Sequence, residues 1–223
     1  MSICSECHGG CCRRYYIDLT GYDIVNISKS LELDPFVFIS TQIIEEENIE
    51  KISEDAALFK FINDNCKDFR RIILKRIESK LIPGTTRCMF LQEWNNKEIS
   101  SIQEGQTVGR CGIYGVRPLV CSIYPAKLDE SQVFGYIPDP YYNCEKKNTP
   151  VYNLCPRPLN NEDFADYTGE TTKNLALHKF EMNFFKSIAS IWNENPGSID
   201  EFFKHITCIY DNRVVLEQRE EAL

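Results

Sequence analysis

The 223-residue sequence predicts an α+β fold, with a cysteine-rich core of loops and short hairpins and helices at both ends. Three observations carry that prediction. Apolar residues recur at helical spacing near the start and throughout the last third. Between Cys88 and Pro140 the texture changes to short apolar runs split by turn formers. Ten of the eleven cysteines fall before residue 160. With no internal repeat, low-complexity tract or clear linker, the simplest organisation is one domain over 1–223, made of a cysteine-rich region (1–160) and a helical C-terminal region (161–223).

Taken in order, "CSECHGGCC" opens the chain, and Gly9 and Gly10 permit a tight turn between its two pairs of thiols. Thr20 is placed to cap a short helix whose Ile24, Val25 and Ile27 share a face. Asp34 and Pro35 have the chemistry of a second helix start. Residues 66–81 fit two states, since Phe69, Ile72, Ile73 and Ile77 suit a helix while "RRIILKRI" also serves as a strand. "CMFLQEWNNKEIS" and "AKLDESQVFGYIP" read as hairpins. "RPLVCSIYP" reads as a helical turn with Pro118 at its first position and Pro125 stopping it. From Thr172 to Asn193, Leu177, Phe180, Phe184, Ile188 and Ile191 form a stripe expected to face the core, flanked by Phe185 and Trp192. Ser198 and Glu201 then form a capping box ahead of Phe202, Phe203 and Ile206.

A formal net charge of -8 and a pI near 5.1 argue against general attraction to nucleic acid or anionic membrane. The N-terminus lacks a basic segment followed by an apolar run, and no stretch approaches the length of a membrane span, so a cytoplasmic protein is expected. Thiols stay reduced in that compartment, and an odd number cannot pair completely. Eleven cysteines therefore argue for metal or redox chemistry over a disulfide scaffold. The basic run "CKDFRRIILKRIESK" reads as a solvated face or as a surface for an anionic ligand or protein partner.

The CxxC at Cys4 and Cys7 lets a short loop present two thiolates to one metal. Adjacent side chains tend to diverge, so Cys11 and Cys12 read as serving two centres or as split between ligand and structural roles. Adding Cys88, Cys111, Cys121 and Cys155 gives eight candidate ligands, enough for two four-thiolate centres or for one centre plus spare redox thiols, with Cys144 in reserve. Arg13, Arg14, Arg87, Arg110, Arg117 and Arg157 lie close in sequence to these thiols, where cations would stabilise an anionic thiolate centre. Cys66 and Cys208 read as ordinary structural thiols. His8 is placed to ligate or to donate a hydrogen bond to a ligand, while His178 and His205 read as packing or surface residues on helices.

"CSECHGGCC", "CMFL", "CGIYGVRPLVCSIYP" and the later "CP" together resemble the YkgJ-like family of zinc- or iron-chelating CxxCxxxCC proteins, over about Cys4 to Cys155. That resemblance implies a metal-binding function and leaves zinc and iron undecided; the eight dispersed cysteines and their flanking arginines read as a zinc or iron–sulfur centre, a [4Fe-4S] cluster among its forms, in a structural, sensing or electron-transfer role. A more distant likeness is to the flagellin lysine N-methylase group, which implies, as the alternative, an S-adenosylmethionine-dependent protein lysine N-methyltransferase carrying an iron–sulfur cluster. For that alternative, Arg117 and Tyr124 beside Cys121 are the cofactor-binding candidates, because a guanidinium can hold a carboxylate and a phenol can take part in proton transfer. The N-terminal spacing differs from that group, the chain is short for it, and no glycine-rich fingerprint follows a strand, so no catalytic residue is carried over.

Overall fold

The computed structural model describes residues 9–62, 68–95, 97–98, 107–124, 126–128, 134–136 and 168–220. In chain order the elements begin with α1 (Gly10–Arg14), α2 (Gly21–Leu31), α3 (Pro35–Phe38), β1 (Ile39–Ile44), α4 (Ile49–Ser53), β2 (Leu58–Phe59) and β3 (Phe69–Leu74). They continue with β4 (Arg76–Glu78), β5 (Thr86–Cys88), β6 (Leu91–Asn95), β7 (Thr107–Cys111), α5 (Leu119–Ile123), β8 (Ala126–Leu128), β9 (Phe134–Tyr136), α6 (Thr168–Glu194) and α7 (Ile199–Glu220). Helices and small antiparallel sheets are both present, as the α+β reading expects. The chain forms two compact units, Met1–Ile17 with Leu74–Ala176 and Asp18–Ile73 with Leu177–Leu223. No helix among the described residues is long and apolar enough to cross a membrane.

The first unit is built from two-stranded ladders. β4 pairs with β5 in the register Arg76↔Cys88, and β6 pairs with β7 in the register Leu91↔Cys111. "CMFLQEWNNKEIS" is therefore not a hairpin of its own. Its first residue closes the β4–β5 ladder, and its remaining strand reaches forward to Thr107–Cys111, because the apolar run at Leu91 finds its partner beyond the intervening polar segment. "AKLDESQVFGYIP" does form the expected hairpin, β8 with β9. α5 starts after Pro118, which sits at the cap position, one residue earlier than expected; Pro125 lies outside the described residues. Ile123, Ala126 and Leu175 form a small buried cluster.

In the second unit β1, β3 and β2 make one sheet in that spatial order. The ambiguous 66–81 stretch is thus extended in its described part, as β3 and β4. α2 starts at Thr20 with a complete capping box. The Asp23 amide donates to Thr20 Oγ1 at 3.1 Å and the Thr20 amide donates to Asp23 Oδ2 at 2.9 Å. The Phe36 amide donates to Asp34 Oδ1 to open α3. At α7 the Ser198 amide donates to Glu201 Oε2 at 2.8 Å.

The centre of this unit is aromatic. Phe202 lies 4.7 Å from Phe59, 5.5 Å from Phe61, 5.3 Å from Trp192 and 5.5 Å from Phe203, ring centre to ring centre. Trp192 Nε1 and Asn193 Nδ2 donate to the carbonyls of Lys60 and Leu58, so the end of α6 satisfies backbone that no further strand covers. The expected stripe of α6 is rotated. Phe180 is 55 % and Ile191 69 % exposed, whereas Ile188 is buried as expected, together with Met182, Phe185 and Ala189. Apolar residues occupy more of this helix than one face holds, and the buried carboxylate of Glu181 fixes which face turns inward. It accepts from the Tyr210 hydroxyl at 3.1 Å and pairs with Arg213 at 2.8 Å. Phe180 and Phe184 are left under the Arg213 guanidinium, 5.2 and 5.1 Å from their ring centres.

The arginines of the basic run are used internally, while Lys75 and Lys80 are exposed. Arg70 donates to Thr41, and Arg71 donates to Gln42 and pairs with Asp18 at 3.2 Å. Burial raises the Asp18 carboxyl to about 6 against the pull of Arg71, and Asp55 adds to the rise. Between about pH 4 and pH 6 the native state therefore keeps a proton that the unfolded chain has released. The stabilisation is complete below the unfolded pKa and is lost as the pH rises through the native one, by on the order of 2–3 kcal/mol. Asp18→Asn is expected to flatten this part of the stability profile, read as urea midpoints from pH 4 to 7.

Candidate metal centre

Six cysteines are described, and five of them line one cavity in the first unit: Cys11, Cys12, Cys88, Cys111 and Cys121. Its volume is about 310 Å³ and its wall is mostly apolar, including Tyr15, Phe90, Leu91, Ile113 and Tyr124. The sixth, Cys208, is exposed on α7 in the other unit, with the Asn212 amide 3.5 Å from its sulfur. Cys4, Cys7, His8, Cys66, Cys144, Cys155 and Arg157 lie outside the described residues. Among the described residues no three cysteine, histidine, aspartate or glutamate side chains stand closely enough together to hold an ion.

Each thiol reaches the cavity for a local reason. Gly9 adopts a left-handed conformation with φ 77° at the cap of α1, and a Cβ there would meet Leu91 Cδ1 at 2.7 Å, so glycine is required by both backbone and space. α1 then presents Cys11 and Cys12 in succession. Both line the same cavity, and their thiols interact. Cys88 ends β5 and is buried, Cys111 ends β7, and Cys121 sits in α5, where its amide donates to the Pro118 carbonyl at 2.9 Å.

The thiols shape one another's protonation. The Cys12 thiol is raised first by its hydrogen bond with Cys11, then by burial. Burial pushes Cys88 up to about 12, with the Cys12 charge adding to it, and burial also raises Cys111. Arg76 opposes the rise at Cys12 and Cys88, and Arg117 opposes it at Cys111. The wall thus gathers sulfur whose charged form is disfavoured until a cation neutralises it. Thiolate is a donor type that both zinc and iron take, and the described lining holds no histidine.

Arg76 had read as part of a basic surface, and sequence reasoning missed its role. Its guanidinium donates to the carbonyls of Cys12 (3.5 Å), Arg13 and Tyr15, and to Thr86 O at 2.7 Å. It closes the free carbonyl end of α1. Only the pairing of β4 with β5 puts Arg76 there, and no local pattern announces that ladder. Of the arginines expected near thiols, Arg13 and Arg87 are buried, Arg14 is exposed, and Arg110 lines the cavity and donates to Gly109 O. Arg117 stacks on Tyr114 with its guanidinium carbon 3.8 Å from the ring centre, and Tyr124 packs edge-on to Tyr15 at 5.7 Å. Arg117 and Tyr124, the two cofactor-binding candidates, both line the same cavity.

A family model described as "CxxCxxCC: Putative zinc- or iron-chelating domain" matches residues 3–148. Where the family's name writes two residues before the cysteine pair, this chain has three, His8, Gly9 and Gly10. No curated protein and no solved structure matches the chain.

Proposed function

The chain belongs to the CxxCxxCC family, and from that premise we propose that its first unit holds a zinc or iron centre on cysteine thiolates, in a structural, sensing or electron-transfer role. The observation that carries this reading is the gathering of five of the six described cysteines on one cavity while Cys208 lies apart. Cys11, Cys12, Cys88, Cys111 and Cys121 are the ligands proposed from the described residues. Cys4, Cys7 and Cys155 complete the proposed set. When bound, the metal supplies the positive charge that keeps these thiols deprotonated. Arg76 and Arg117 share that work, and the aromatic wall limits water around the sulfurs.

Anaerobic isolation with metal and acid-labile sulfide analysis tests the reading. Stoichiometric zinc or iron is expected, and iron with sulfide identifies a cluster. Folded protein without either metal overturns the proposal. Cys88→Ser and Cys121→Ser are each expected to weaken metal binding tenfold or more and to lower the urea midpoint together with it, whereas Cys208→Ser changes neither. Retained metal in Cys88→Ser and Cys121→Ser, or its loss in Cys208→Ser, would overturn the ligand set.

A further inference from the structure

A buried cluster of charge stands next in sequence to two of the cavity's thiols. Arg13 follows Cys12 in α1, and Arg87 precedes Cys88 in β5. Both side chains run to one carboxylate. Glu93 Oε1 pairs with Arg13 Nη1, and Glu93 Oε2 lies 2.8 Å from Arg87 Nε. The three side chains are 2 % (Arg13), 3 % (Glu93) and 8 % (Arg87) exposed. Ser79 Oγ donates to Glu93 Oε1 at 2.9 Å and accepts from Arg13 Nη1 at 3.3 Å. Arg87 Nη1 also donates to the Leu91 carbonyl, and Leu91 is the residue opposite Cys111 in the β6–β7 ladder.

Stability alone is a weak reason for such a cluster, since well-packed apolar side chains of similar volume often serve as well as a buried ion triad or better. Location is what the triad supplies. Each oxygen of one short, rigid carboxylate engages the arginine next to a different cysteine, so the spacing of the two arginine backbones, and of the neighbouring thiols, is tied to the length of one side chain.

We propose that Glu93 is a positioning residue for the metal centre, setting the separation of Cys12 and Cys88 through Arg13 and Arg87 and linking Cys111 through Leu91. The inference rests on the metal-centre reading above. Glu93→Asp keeps the charge and withdraws the carboxylate by one methylene. In the full chain, zinc affinity measured by competition with a chromophoric chelator is expected to fall about 10–100-fold. At saturating cobalt(II), the sulfur-to-cobalt charge-transfer band is expected to shift or weaken. That spectrum separates positioning from stability, because a variant that is merely less stable shows the wild-type band once metal is bound. If Glu93→Asp fails to fold, Ser79→Ala removes one hydrogen bond to the carboxylate, leaves both ion pairs, and is expected to give a smaller loss of roughly three- to tenfold with the same kind of spectral change. Unchanged affinity and an unchanged band in a folded variant overturn the positioning role and leave the centre standing. Wild-type protein that takes up neither zinc nor cobalt overturns the metal-centre reading itself.

Discussion

Phe202→Ala is expected to destabilise the second unit by about 3–5 kcal/mol. Phe202 is fully buried and meets rings from the β2 segment, from α6 and from its own helix, so truncation removes packing on several sides at once. The surrounding rings cannot collapse into the space. Trp192 is tied to the Lys60 carbonyl and Asn193 to the backbone of Leu58 and Lys60. Phe59 packs tightly on Phe185 as well, at 4.8 Å. The two tryptophans make the measurement unit-specific, since Trp94 belongs to the first unit and Trp192 to the second. Urea unfolding followed by fluorescence in a Trp94→Phe background reports the second unit alone, and a midpoint shift worth less than about 1 kcal/mol would contradict the central role given to this ring.

Arg76→Ala is expected to cost the first unit about 2–4 kcal/mol. Its guanidinium satisfies the carbonyls that end α1, and none of the donors is replaced when the side chain goes. Partial burial lowers the Arg76 pKa from its usual value. Arg76→Lys is expected to recover less than half of the loss, because an ammonium cannot spread donors over several carbonyls as a planar fork does. Fluorescence of Trp94 in a Trp192→Phe background is the readout. Full recovery by lysine would show that charge alone matters there.

The parts of this molecule that could be read from its sequence are those whose cause is local. Thr20, Asp34 and Ser198 each accept from the backbone amide of a residue within three positions, Asp23, Phe36 and Glu201, and each marks a helix start in the structure. Of the described cysteines, the five taken from sequence as ligand candidates line one cavity, and Cys208, taken as a structural thiol, does not. What could not be read depends on partners far along the chain. β5 joins β4, and β6 joins β7, only once the strands have met. Arg76 and Glu93 look like ordinary strand charges until that happens. The face that α6 buries, with Met182, Phe185, Ile188 and Ala189, also carries Glu181, whose partner Arg213 lies far along the chain on α7.

Synthesis on the ribosome gives the triad of Arg13, Arg87 and Glu93 a timing. Arg13 and Glu93 are 80 positions apart, so at about 5–20 residues per second the carboxylate emerges about 4–16 s after the arginine that needs it. A five-residue helix does not persist alone for that interval. Cys11 and Cys12 therefore leave the exit tunnel unshielded, open to oxidants and to whichever thiophilic ion arrives first, until the later half of their own scaffold has been translated.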